Sequence, residues 1–136
     1  MVAQGVTMHR TKRLVVATLG GVACGFICLG LASSSGKLPT PVGYEIVAER
    51  TLIGVAIGIS CLSLGHWTIH GLVMGLIFSI PLAIGGLMAP DSPDYSKTTM
   101  FVMTVVLGMI YGLLIELVTT VVFKARNPGL ASPSEV

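Results

Sequence analysis

The sequence predicts an all-α fold: an integral membrane four-helix bundle with short hairpin connections. Three observations predict it. Only 10% of the 136 residues are charged and 53% are hydrophobic, against about 25% charged residues in a soluble domain. Mean hydropathy is +0.89. The shortage of charge also runs along the whole chain, in four apolar segments parted by turn-forming residues, which describes a bundle and not one anchor on a soluble body. A single domain over 1–136 is expected at this length.

The first helix is predicted over 14–33, a run of about 20 residues, the length that crosses hydrocarbon. Ser33, Ser34, Ser35, Gly36, Pro39 and Pro41 break the chain after it. The second helix is predicted over 46–64. Its uncharged part begins only at Thr51, so Glu49 and Arg50 must lie near headgroups or inside the protein. Gly65 suits the left-handed position closing that helix, and Thr68 suits the cap of the next. Trp67 belongs at an interface, as do Tyr44 and Tyr95. The third helix is predicted over 67–89 with Pro81 inside it, a kinking residue. Pro90, Asp91, Pro93 and Asp94 form the next break. The fourth helix is predicted over 98–123. The polar tail over 127–136, with Pro128, Gly129 and Pro133, is expected to be flexible.

Orientation follows the distribution of basic residues. Arg10, Lys12 and Arg13 precede the first helix, and Lys124 and Arg126 follow the fourth. Cationic flanks stay on the cytoplasmic side. An even number of spans puts both termini there, in a bacterial-type inner membrane or plasma membrane. The basic start and apolar run also have the form of a signal peptide, but about 20 apolar residues exceed a signal core of 7–15, so a retained helix is expected.

Small residues recur at fixed spacing. Each predicted helix has one Gly-x-x-x-Gly pair: Gly21 and Gly25, Gly54 and Gly58, Gly71 and Gly75, Gly108 and Gly112. Two missing Cβ atoms four residues apart flatten one face and let backbones approach. These eight are the candidate helix-packing residues, within the chain or between copies. The segments starting at Gly21 and Gly54 share seven of twelve residues, which compositional likeness explains as readily as a repeat.

Glu116 is the most informative single residue, a carboxylate within an otherwise uncharged span. It recurs with Gly108, Gly112 and Thr120 at intervals of four and so shares their face. His70 and His66, also four apart, are predicted near the same end and complete a candidate ion or proton site. Arg50, Glu49 and Glu45 are candidate charges of an outer vestibule, with Arg50 on the face of Gly54 and Gly58. Asp91 and Asp94 are candidate partners for Arg50, and a structural ion pair at the helix end is the favoured alternative to a vestibule. Tyr111 offers a mid-helix hydroxyl. Cys24, Cys28 and Cys61 are an odd number in apolar surroundings and read as packing residues.

No nucleophile–base pair, phosphate loop or metal-ligand spacing is visible, so no catalytic residue, metal or cofactor is assigned. The net charge of +2 is too small and too divided for nucleic acid. Small multidrug transporters are similar in having four helices and an intramembrane Glu. Theirs lies in the first helix, which here has no acid, so that function is not carried over. The expected partners are membrane lipid and either further copies of this chain or another membrane protein. The leading expectation is a non-enzymatic packing, assembly or accessory subunit. The alternative is a small proton- or ion-coupled transporter or channel using Glu116. A membrane enzyme acting on lipid or quinone has only His66, His70 and Glu116 behind it.

Overall fold

The computed structural model describes residues 2–34, 36, 40–62, 64–88 and 96–125, with side chains from Met8 onward. The expected tail over 127–136, Tyr95, and Asp91 and Asp94 lie outside the described residues. The architecture is a bundle of four α-helices: α1 (Val2–Ser34), α2 (Thr40–Ile59), α3 (Trp67–Met88) and α4 (Lys97–Leu117), the last continued by one π-helical turn, Val118–Val122. Three helical stretches, Met8–Ser34, Trp67–Met88 and Lys97–Val122, are long and apolar enough to cross a membrane, which suggests membrane association. The fourth, α2, carries Glu45, Glu49 and Arg50 within its 20 residues and is not among them.

Every helix boundary that hydropathy poorly defines is displaced from its predicted place. Helix α1 begins about three turns before Leu14, because His9 to Arg13 continue the helix although they are polar. Hydropathy marks what can enter lipid, and hydrogen bonding marks what is helical. Helix α2 starts at Thr40, with Pro41 in its first turn where a missing N–H costs nothing. It stops at Ile59 and not at 64. Ser60 accepts the Leu62 amide on its own Oγ at 3.2 Å, a local bond that competes with the helix ladder. Gly65 therefore does not close α2. Its φ of +77° serves the turn before α3, so Gly65→Ala should lower stability by about 1 kcal/mol, read as a fall in unfolding midpoint.

The start of α3 differs as well. The ring of His66, not the side chain of Thr68, caps it: His66 Nδ1 accepts the Thr68 amide at 3.3 Å. Ser96 caps α4 by accepting the Thr99 amide at 3.2 Å. At the far end, Lys124 adopts φ 52° and Ala125 N–H bonds Thr119 O at 2.9 Å. The chain thus folds back and buries Ala125 completely.

Two helical hairpins compose the bundle, α1 packed on α2 and α3 on α4. Glycine sets both contacts. A Cβ on Gly21 would lie 2.6 Å from Arg50 O, and one on Gly58 would lie 2.8 Å from the Leu14 Cα. Gly25 faces the Val47 backbone, and Gly54 abuts Ala17 O. In the second hairpin Gly71 would meet Gly112 O at 2.8 Å, Gly75 abuts Gly108 O, Gly108 abuts Ser79, and Gly112 abuts Gly71 O. Backbones this close gain dispersion contacts and exclude side chains from the helix–helix line. The seam between hairpins is filled differently. Ala17, Ile53, Ala56, Ile57, Met74 and Ile115 form its apolar middle, and polar side chains occupy both ends of that layer.

Candidate functional site

Arg13 is carried into the bundle by the early start of α1 and is 1% exposed. Its Nη2 donates to both carboxylate oxygens of Glu116, at 2.8 and 2.9 Å. Its Nη1 donates to Ala125 O at 2.8 Å and to Thr120 Oγ1 at 3.1 Å. The fold-back at Lys124 supplies that carbonyl, and the π-turn carries Thr120. Thr120 in turn donates to Glu116 Oε1 at 2.6 Å. Charge-assisted bonds of this kind are the strong ones, and they offset the large cost of removing two ions from water.

His70, on the first turn of α3, is fully buried and lies 3.0 Å from Glu116 Oε2 through Nδ1. Its other nitrogen, Nε2, is 2.9 Å from Ser60 Oγ. The direction of these bonds follows from chemistry. Glu116 beside a guanidinium is a carboxylate and can only accept, so Nδ1 carries the proton. In the neutral ring Nε2 is an acceptor and takes the Ser60 hydroxyl hydrogen, while Ser60 Oγ receives the Leu62 amide. The run from Ser60 through His70 to Glu116 and Arg13 joins α1, α3 and α4 to the residue that follows α2. Ser60 also lines an open pocket of about 260 Å³ with Arg10, Thr11, Leu14, Gly58, Ile59 and Cys61.

Of the three residues expected to form one ion site, Glu116 and His70 meet and His66 does not. His66 is exposed, precedes α3, and lies 2.7 Å from Thr68 Oγ1. Being off the helix, it cannot share the face of His70. The three candidate outer charges are also parted. Glu49 and Arg50 contact each other at 2.8 Å with side chains 9% and 2% exposed, whereas Glu45 is exposed. The reason is the early start of α2, which puts Glu49 and Arg50 well inside the helix and not at its end. Arg50 Nη1 lies 3.4 Å from Ser79 Oγ. Its guanidinium sits 4.9 Å from the Tyr111 ring centroid, so Tyr111 offers its π face and not only a hydroxyl.

The two ionic layers are separated by the apolar middle of the seam. His70 and Ser79 stand nine residues apart on α3, roughly 13 Å along the axis. Cys24 is half-buried, Cys28 buried and Cys61 exposed, all unoxidised. Among the described residues no group of three or more His, Cys, Asp or Glu is placed to hold a metal ion.

Arg13, Ser60 and Ser79 were not picked out from the sequence as site residues, and Thr120 was placed only on the face of Glu116. A signal for Arg13 existed. It stands four residues before Ala17, which is four before Gly21, so it shares the small-residue face by the spacing that marked Glu116. Ser60 had no such signal, because its place depends on where α2 stops. No family model, curated protein or solved structure matches this chain.

Proposed function

We propose that this chain is a small proton-coupled membrane carrier, multi-pass with both termini cytoplasmic, whose proton-handling chain is Ser60–His70–Glu116 with Arg13 as fixed counter-charge. One observation carries the reading: a continuous run of hydrogen bonds leads from an open pocket at Ser60 to a fully buried carboxylate. Histidine between a hydroxyl and a carboxylate is the side chain best suited to pass a proton near neutral pH. An ionisable group inside a span is a functional hypothesis by default.

The placement also suggests how a proton would be coupled to movement. Each hairpin is held by backbone contacts that leave no room for rearrangement. The seam between hairpins is held at this end by Arg13 to Glu116 and by Ser60 to His70. A proton delivered to Glu116 removes the charge that Arg13 faces and loosens the seam, not the hairpins. Rocking of one helix pair on another around a buried site is an established transport geometry. The assembly reading drew its support from small-residue faces, and all eight glycines of those faces are occupied within the chain.

The test uses liposomes holding a pH gradient and the purified chain. A sodium or potassium salt, an organic cation and an organic anion are added outside in turn. At least one should dissipate the gradient, and Ser60→Ala should slow this about tenfold or more per folded molecule, since a relayed proton step is worth about 10²–10⁴, while its stability falls only by the loss of one hydrogen bond, about 1 kcal/mol. Equal rates in wild type, Ser60→Ala and protein-free vesicles would end the proposal.

A further inference from the structure

Beyond transport, the geometry points to Ser60 as a nucleophile, activated by His70 and oriented through Glu116, that accepts an acyl group from an ester or thioester of an amphiphile. We infer this from three features that coincide at one place.

The first is the order and spacing of the groups. Ser60 Oγ is 2.9 Å from His70 Nε2, and His70 Nδ1 is 3.0 Å from Glu116 Oε2. A hydroxyl on one imidazole nitrogen and a carboxylate on the other is the arrangement that makes a serine reactive, recognised by geometry and roles and not by chain order. The second is the tautomer. In the neutral ring, with Glu116 charged beside Arg13, the proton is on Nδ1 and the Nε2 lone pair faces Ser60. The third is access. Ser60 is half-buried and lines the open pocket. Leu14, Gly58 and Ile59 give that pocket an apolar wall for an acyl chain, and Arg10 gives it a cation for an anionic head.

The reaction balances without any further reagent. The Ser60 oxygen attacks the acyl carbonyl carbon as its proton passes to His70 Nε2. The carbon–oxygen or carbon–sulfur bond to the leaving group then breaks, and Nε2–H returns the proton to the departing alcohol or thiol. Acyl-Ser60 has no hydroxyl hydrogen left for Nε2, so acylation would also close the proton chain at its open end.

The experiment treats the full chain in lipid nanodiscs with a long-chain alkyl fluorophosphonate and maps adducts by peptide mass spectrometry. Ser60 should be modified about 100-fold or more faster than the exposed Ser33, Ser34 and Ser96 of the same molecule. In His70→Gln the Ser60 rate should fall to theirs. Labelling of Ser60 no faster than of those serines in wild type would overturn the inference, and this internal comparison needs no variant to fold. Undiminished labelling of Ser60 in His70→Gln would overturn it too. Labelling needs no gradient, so a failure of the carrier reading and a failure of this one are separately visible.

Discussion

Arg13→Leu should destabilise the bundle by about 3–5 kcal/mol, and Glu116→Leu by a similar amount, because each leaves the other charge buried without its counter-ion. Both side chains are at most 1% exposed, so water cannot replace the lost partner without opening the seam. The double variant Arg13→Leu with Glu116→Leu should lose less than either single one. It removes both charges together and leaves His70, Thr120 and the Ala125 carbonyl to find new partners. Lys12→Ala, one residue away but exposed, should stay within about 0.5 kcal/mol of wild type. Reversible unfolding in mixed micelles, completed as a double-mutant cycle, measures all four. Single losses below about 1 kcal/mol would show that the pair is solvated and the seam open at this end.

Alanine at glycine positions should act with opposite signs on the two sides of the helices. A Cβ on Gly54 or Gly75 points at a main-chain carbonyl of the facing helix, Ala17 O or Gly108 O. A backbone atom cannot swing aside as a side chain can, so the two helices must separate and give up their contact along several turns. Gly54→Ala and Gly75→Ala should each cost about 3 kcal/mol, the upper part of the range for overpacking. At Gly30 and Gly85 a Cβ meets nothing within 4 Å. There alanine only improves helix propensity, and Gly30→Ala and Gly85→Ala should stabilise by about 0.5–1 kcal/mol. The same unfolding assay separates the groups. Equal effects at Gly75 and Gly85 would mean that α3 and α4 do not approach as closely as their backbones are placed here.

How far the site was legible follows from what each signal measures. Apolar runs located four helices because partition into a low-dielectric core depends on composition summed over many residues. They misplaced the starts of α1 and α2 because a polar residue continues a helix as readily as an apolar one. That error had chemical consequences. Arg13 was grouped with the basic flank, since loop and flank positions look alike in a charge count. Glu49 and Arg50 were put at a helix end, as vestibule charges or an ion pair there, and not inside the bundle. Glu116 was found correctly as a face residue because periodicity carries direction, and the same rule applied to Arg13 and Ala17 would have turned that arginine inward.

By itself, then, the sequence determined the fold class, the number of helices, the small-residue faces and the presence of a carboxylate that must have a partner. Each of these depends on composition or on spacing within one helix. Only the tertiary structure decided which faces meet. It spent the glycines inside two hairpins, gave Arg13 to Glu116 across 103 positions of sequence, and brought Ser60 to His70. The physical reason is that a helix face states what it can bury but not against what. The answer depends on where each helix stops and on which pairing leaves the fewest buried charges alone.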